Sequence, residues 1–187
     1  CTIIIVILCQ VFICRESPAQ VLMPSFKDTD HIKSLNGTWR FKYIPSSDIK
    51  ADSSFYKTDF NVSEWADIKV PGNWEIQGFA APMYAEYLKN GTGLYRTDFN
   101  IPQGWQNDPV YVAFDGVLYG YKVWVNGHYV GNFTSSYNRH IFDISAFVLP
   151  GRSNILAVKV LTHPKGWEFD THDAGSLSCI FRDVALY

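Results

Sequence analysis

The sequence predicts an all-β fold of two packed antiparallel sheets with about eight strands, and three observations carry that expectation. After a polar lead-in (Pro24 to Lys33), short apolar runs recur about every ten residues between Gly, Pro, Asn and Asp, the spacing of a sandwich or barrel. No long stretch repeats its apolar residues at the helical period. An Asn126-Gly127 pair is flanked by alternating apolar residues, the strongest short-range sign of a β-hairpin, because both turn positions need a positive φ.

The elements follow in order. Leu35 to Tyr43 (LNGTWRFKY) sets Trp39, Phe41 and Tyr43 on one face and Arg40 and Lys42 on the other, as a half-buried strand requires. Ile68 to Val70 precedes a Pro71-Gly72 break, and Leu94 to Ile101 (LYRTDFNI) ends at Pro102. Val110, Val112 and Phe114 alternate; Tyr121, Val123 and Val125 then lead into the Asn-Gly turn, with Tyr129 beyond it. Phe142 to Phe147 (FDISAF) is expected as a short strand running into a turn. Asn154 to Leu161 (NILAVKVL) turns Leu156, Val158 and Val160 to one side, and Ile180 to Tyr187 (IFRDVALY) supplies the last strand.

Composition narrows the function classes. Of 187 residues, 47% are apolar and 18% charged, and the net charge is -2, with no run of Lys or Arg. Nucleic acid and anionic membranes are therefore poor partners. Thirteen Phe, 11 Tyr and 6 Trp supply more buriable area than a disordered chain carries, so a single compact, aromatic-rich domain is expected.

The amino end reads differently. Thr2 to Cys14 (TIIIVILCQVFIC) is almost wholly apolar but falls short of the roughly 20 residues that cross a bilayer. Ser17-Pro18-Ala19 behind it places small residues three and one before a cut ahead of Gln20, so residues 1–19 are expected to be a signal peptide that lacks its charged start, followed by the lead-in 20–34 and the domain 35–187. Export to the periplasm or the exterior is the expected location, with no membrane contact after cleavage. The cut would remove Cys1, Cys9 and Cys14, leaving Cys179 as a small core residue and no disulfide framework.

A nucleophile elbow, a P-loop, a dinucleotide fingerprint and H-E-x-x-H are all absent. The segment His163 to Gly175 (HPKGWEFDTHDAG) gathers His163, His172, Glu168, Asp170 and Asp173 around Trp167 and Phe169. In such a loop a carboxylate accepts hydroxyl hydrogen bonds while an aromatic ring covers C–H faces, a pairing suited to a sugar, and a carboxylate there also offers oxygen to a cation. A solvated acidic loop with one packed Trp is the alternative. Glu75 and Glu86 lie in turn-rich stretches where a surface carboxylate is expected, and neither is assigned a catalytic role. Sequons occur at Asn36, Asn61, Asn90 and Asn132.

Taken in order, LNGTWRF, VPGNWEIQGFAAPMY, TGLYRTDFNIP, the FDGV to VWVNGHYVG run, FDIS, NILAVKVL and IFRDVALY resemble the amino-terminal sugar-binding domain of glycoside hydrolase family 2, most closely its β-galactosidase branch. The resemblance implies a jelly-roll β-sandwich, similar to galactose-binding domains. In whole enzymes an immunoglobulin-like domain follows, then a TIM barrel with two catalytic glutamates, both outside this chain. It implies no catalytic residue here, and a substrate-binding and cation-binding role for Asp173, which matches the family aspartate that contacts sugar and sodium. Glu86 stands where the family has a sugar-contacting Asn. Ala174 to Cys179 departs from the aromatic-rich stretch that the family usually carries after its aspartate.

Together these features predict a rim-forming sugar-binding domain of an exported β-galactosidase-like glycosidase, inactive alone, with substrate contacts from Asp173, Trp167 and Glu86. A sodium or other cation belongs to the full enzyme, and the partners are a β-galactoside or related glycan, the downstream catalytic domains and a second copy in a homo-oligomer. A free-standing carbohydrate-binding module and a purely structural brace are the alternatives, as are β-glucuronides or β-mannosides as substrates.

Overall fold

A computed structural model describes residues 31–45, 53–81, 91–105, 108–162, 170 and 177–187. Thirteen strands occur among them: β1 (Lys33–Ser34), β2 (Gly37–Ile44), β3 (Ala66–Val70), β4 (Gly72–Asn73), β5 (Thr92–Asn100), β6 (Tyr111–Phe114), β7 (Val117–Leu118), β8 (Gly120–Val125), β9 (His128–Phe133), β10 (His140–Asp143), β11 (Ser153–Leu161), β12 (Cys179–Ile180) and β13 (Val184–Leu186). They form a six-stranded sheet in the order β3-β2-β5-β11-β8-β9, a four-stranded sheet β1-β13-β6-β10 and a small sheet β4-β12-β7. Every pairing is antiparallel, as the all-β jelly-roll expectation requires. The expected leader and much of the lead-in lie outside the described residues.

Alternation builds the core. Trp39 and Phe41 of β2, Tyr95 of β5, Val123 and Val125 of β8 and Leu156, Val158 and Val160 of β11 meet Val112 and Phe114 of β6, Phe142 of β10 and Val184 and Leu186 of β13. Each such side chain contributes about 1.5–3 kcal/mol by leaving water. The Asn-Gly turn forms as the sequence predicts: Asn126 and Gly127 have φ of 49° and 85°, and β8 and β9 pair on either side.

The short strand expected to run into a turn over Phe142 to Phe147 does so: it ends at Asp143, whose carboxylate accepts from the Ser145 N–H at 2.9 Å and the Ser145 hydroxyl at 2.6 Å, turning the chain out of the ladder. One strand expectation changes, that for the end of the chain. The last strand is two strands. Phe181 and Arg182 both donate to the Gly116 carbonyl, and Asp115 N–H donates to the Asp183 carbonyl, carrying the chain from the small sheet to the four-stranded one. Gly116 permits this approach because a Cβ there would strike the Phe181 ring. β5 and β11 are covered on both faces: residues 53–65 fold over the outer face and pack Phe55 and Trp65 on Leu94 and Ala157.

That cover is tied down by Arg96, whose Nη1 donates to the carbonyls of Phe55, Lys57 and Phe60 at 3.0–3.1 Å. Asn154, fully buried, plays the same part at the hairpin end. Its oxygen accepts from Leu149 N–H and Asn126 Nδ2, and its nitrogen donates to the carbonyls of Leu149 and Arg152. Asn154→Ala orphans these buried groups, so denaturant unfolding should show a loss of about 3 kcal/mol with an unchanged m-value.

Candidate functional site at the Trp74 end of the sandwich

After β3 the chain breaks at Pro71-Gly72 as expected and enters a turn held by Gln77, whose oxygen accepts from Lys69 N–H and whose nitrogen donates to the carbonyls of Lys69 and Asn73. The turn drives Trp74 inward until no part of it is exposed, while Ile76 stands 72% exposed. The Trp74 ring lies against Phe41, Tyr43 and Tyr95 at centroid distances of 5.8, 5.6 and 6.5 Å, and it occupies the space a side chain at Gly93 would need.

Glu75 follows Trp74 into the interior, which corrects the surface position expected for it: the residue is 9% exposed. Both carboxylate oxygens accept from the Ser178 N–H at 3.0 Å, and Trp74 N–H donates to the Ser178 carbonyl at 3.3 Å. Burial raises the Glu75 pKa to about 7, against hydrogen bonds from the backbone, Ser178 and Trp74 that hold it down. Among the described residues no neighbouring acid contributes to that rise, unlike the paired carboxylates of a retaining glycosidase. Glu75 is a brace between the β4 turn and β12. The signal that could have found it is its isolation, since it is the only charged residue between Lys69 and Glu86.

The surroundings are closed as well. Cys179 is fully buried, and burial, then the Glu75 charge, push its thiol well above the ordinary range, so it is the inert core thiol that the sequence predicts. Asn73 Nδ2 donates to its sulfur at 2.9 Å. Gly91 N–H donates to the Thr162 hydroxyl at 2.8 Å and the Gly91 carbonyl accepts from Thr162 N–H at 3.2 Å.

Asp173, Trp167 and Glu86, the predicted sugar and cation contacts, lie outside the described residues, as do His163, Glu168, Phe169 and His172. Asp170 of the same loop is described. Its carboxylate accepts from the Ser136 N–H and hydroxyl at 2.8 and 2.7 Å, so it holds the β9–β10 connection. What the described residues establish is that the roots of both segments meet at one end: Gly91 is bonded to Thr162, and Glu75 to Ser178. Among the described residues no group of three or more His, Cys, Asp or Glu could hold a metal ion.

Residues 32–187 match the family described as "Glycosyl hydrolases family 2, sugar binding domain". The chain belongs to that family. Similar proteins include a β-galactosidase of Photobacterium profundum, 33% identical over 184 residues, and one of Psychromonas ingrahamii, 35% identical over 164. These matches cover 88% and 81% of this chain but only 18% and 16% of the relatives, so this family 2 domain spans less than a fifth of their length. Among solved structures, Bacteroides uniformis β-glucuronidase 2 bound covalently to cyclophellitol-6-carboxylate aziridine superposes with a TM-score of 0.69 at 25% identity. A β-glycosidase from Bacteroides vulgatus gives 0.66 at 26%. Each covers 83% of this chain, and this chain covers 17% and 20% of theirs.

The Glu75 carboxyl has an ordinary pKa of 4.5 and a folded one of about 7. A group raised on folding stabilises fully below its unfolded pKa, and that contribution is lost as pH rises through the folded value, here between about pH 4.5 and pH 7. Between those limits the wild type should lose about 3 kcal/mol relative to Glu75→Gln, measured as the pH dependence of the difference in unfolding free energy.

Proposed function

We propose that this chain is the amino-terminal sugar-binding domain of an exported β-galactosidase-like glycosidase, and that it shapes the rim of an active site whose catalytic acids belong to a downstream domain. One observation carries the rim assignment. The segments 82–90 and 163–176, which contain Glu86, Trp167 and Asp173, are rooted side by side at the Trp74 end, through the Gly91–Thr162 bonds and the Glu75–Ser178 clamp. A sugar approaching that end meets carboxylates for its hydroxyls and an indole for its C–H face. Asp173 contributes an oxygen to a sodium or similar cation there. Family membership and the length of the relatives support placing the bond-breaking pair elsewhere.

The chain alone should not hydrolyse p-nitrophenyl β-galactoside, and joining it to the downstream domains should restore turnover. In the joined protein Asp173→Ala should raise KM about tenfold, equivalent to about 1.4 kcal/mol of lost binding. Steady-state kinetics with the β-glucuronide and β-mannoside in parallel assigns the substrate class. Hydrolysis by the chain alone, or unchanged kinetics in the Asp173 variant, would refute the assignment.

A further inference from the structure

The outer face of the six-stranded sheet carries an arrangement that the rim does not use. On β8, Val123 and Val125 point into the main core, so Lys122 and Trp124 point out. Lys122 lies directly opposite Lys159 of β11 on one side and Asn132 of β9 on the other. Like charges directly opposed in a sheet have Cβ atoms about 4.5–5.5 Å apart and destabilise it. Among the described residues neither the Lys122 nor the Lys159 side chain has an ion pair or hydrogen bond, and Lys159 is pushed below the ordinary lysine range by burial and then by Lys122. The two acids of the same sheet are engaged elsewhere: Asp67 pairs with Arg40, and Asp98, with Asp59 of the covering segment, acts on Arg96.

The next row holds aromatic rings. Trp124 is opposite Tyr129, and the register shifts between Val123 and Trp124, leaving Val130 as the extra residue of a bulge. Val130 packs on the main core, and the shift turns Tyr129 outward beside Trp124 instead of inward. Tyr56 stacks on Trp124 at 5.2 Å with planes 9° apart, and Tyr129 meets its edge at 5.5 Å. Tyr129 is 50% exposed, yet it is fixed, because its hydroxyl donates to Asn132 Oδ1 at 2.8 Å.

We propose that this face binds an acidic saccharide, with the pyranose C–H face on Tyr129, the sugar's carboxylate or sulfate between Lys122 and Lys159, and Asn132 bonding a hydroxyl. Residues two apart along a strand are about 6.6 Å apart, so the ring row and the lysine row fit within one or two sugar units. A bound anion relieves the lysine repulsion, and a held aromatic ring gives contact area at little entropic cost. The site lies on the other side of the sheet from Trp74 and does not depend on the rim assignment.

The test is an amide-resolved NMR titration of the chain with tetragalacturonate, with a sulfated galacto-oligosaccharide of equal length, and with the uncharged oligosaccharide. The expected result is shifts confined to β8, β9 and β11, affinity for at least one acidic chain about tenfold above the neutral one, and weakening between about 50 and 300 mM salt. Whichever acidic chain binds more tightly identifies the anion. Lys122→Gln and Tyr129→Ala, each with an unchanged unfolding midpoint, should each weaken binding about fivefold. Equal binding of the neutral chain, shifts mapping elsewhere, or unaffected variants would overturn the proposal. So would hexaglutamate or inorganic sulfate producing the same shifts at equal affinity, since the face would then recognise charge without a sugar.

Discussion

Trp74 reaches the interior only because position 93 has no side chain. Its ring fills the space above Gly93 and against Phe41, so a Cβ at 93 would overlap both rings. Much of the sandwich end follows from that contact. With Trp74 seated, the next residue cannot remain in solvent: Glu75 is carried inside, and the buried donor it finds is the Ser178 N–H, at the start of β12. β4 then pairs with β12 in register, Cys179 against Asn73 and Ile180 against Gly72. A packing constraint between β5 and a turn thus fixes where β12 pairs.

The opposite side of the same sheet is organised by a different rule. β5 and β11 lie in the middle of six strands and are buried on both faces, which leaves Arg96 only 5% exposed. Three backbone carbonyls of residues 55–60 receive its guanidinium, and those carbonyls belong to the segment that covers the strand. Burial lowers the Arg96 pKa, while Asp98 and Asp59 favour its charge. Cover and anchor support each other: without Arg96 the carbonyls of Phe55 and Phe60 lose this donor, while that of Lys57 keeps the Phe60 N–H.

Local chemistry was legible in the sequence wherever it decided the outcome. The Asn126-Gly127 turn, the alternation of Trp39 and Phe41, and the break at Pro71-Gly72 depend on neighbours within a few residues, and all three formed as expected. The interruption at Phe181 to Asp183 was not legible, because the Gly116 carbonyl that redirects the chain is more than sixty residues away. Nothing in LYRTDFNI reveals that residues 53–65 cover Arg96. Glu75 was misplaced for the same reason: a turn-rich stretch predicts exposure, and only the space above Gly93 turns it inward. The ordered motifs identified the family where single strands could not, because the whole set must coincide. Asp173, Trp167 and Glu86 rest on sequence pattern, and the described residues contribute the position of their roots.

The sequon at Asn36 shows how the same triplet means different things once folded. Its Nδ2 donates to Asp183 at 2.9 Å and its oxygen accepts from Val184 N–H at 3.0 Å, so the amide joins the first turn to the last strand, where Leu35 N–H also reaches the Val184 carbonyl. A glycan on that nitrogen would have to displace the Asp183 bond. Asn132 is placed otherwise: its oxygen accepts from Tyr129, no bond engages its nitrogen among the described residues, and it stands exposed on the edge strand. The structural use of each amide, and not the triplet, separates a residue that staples the termini of the sandwich from one that faces outward beside an aromatic ring.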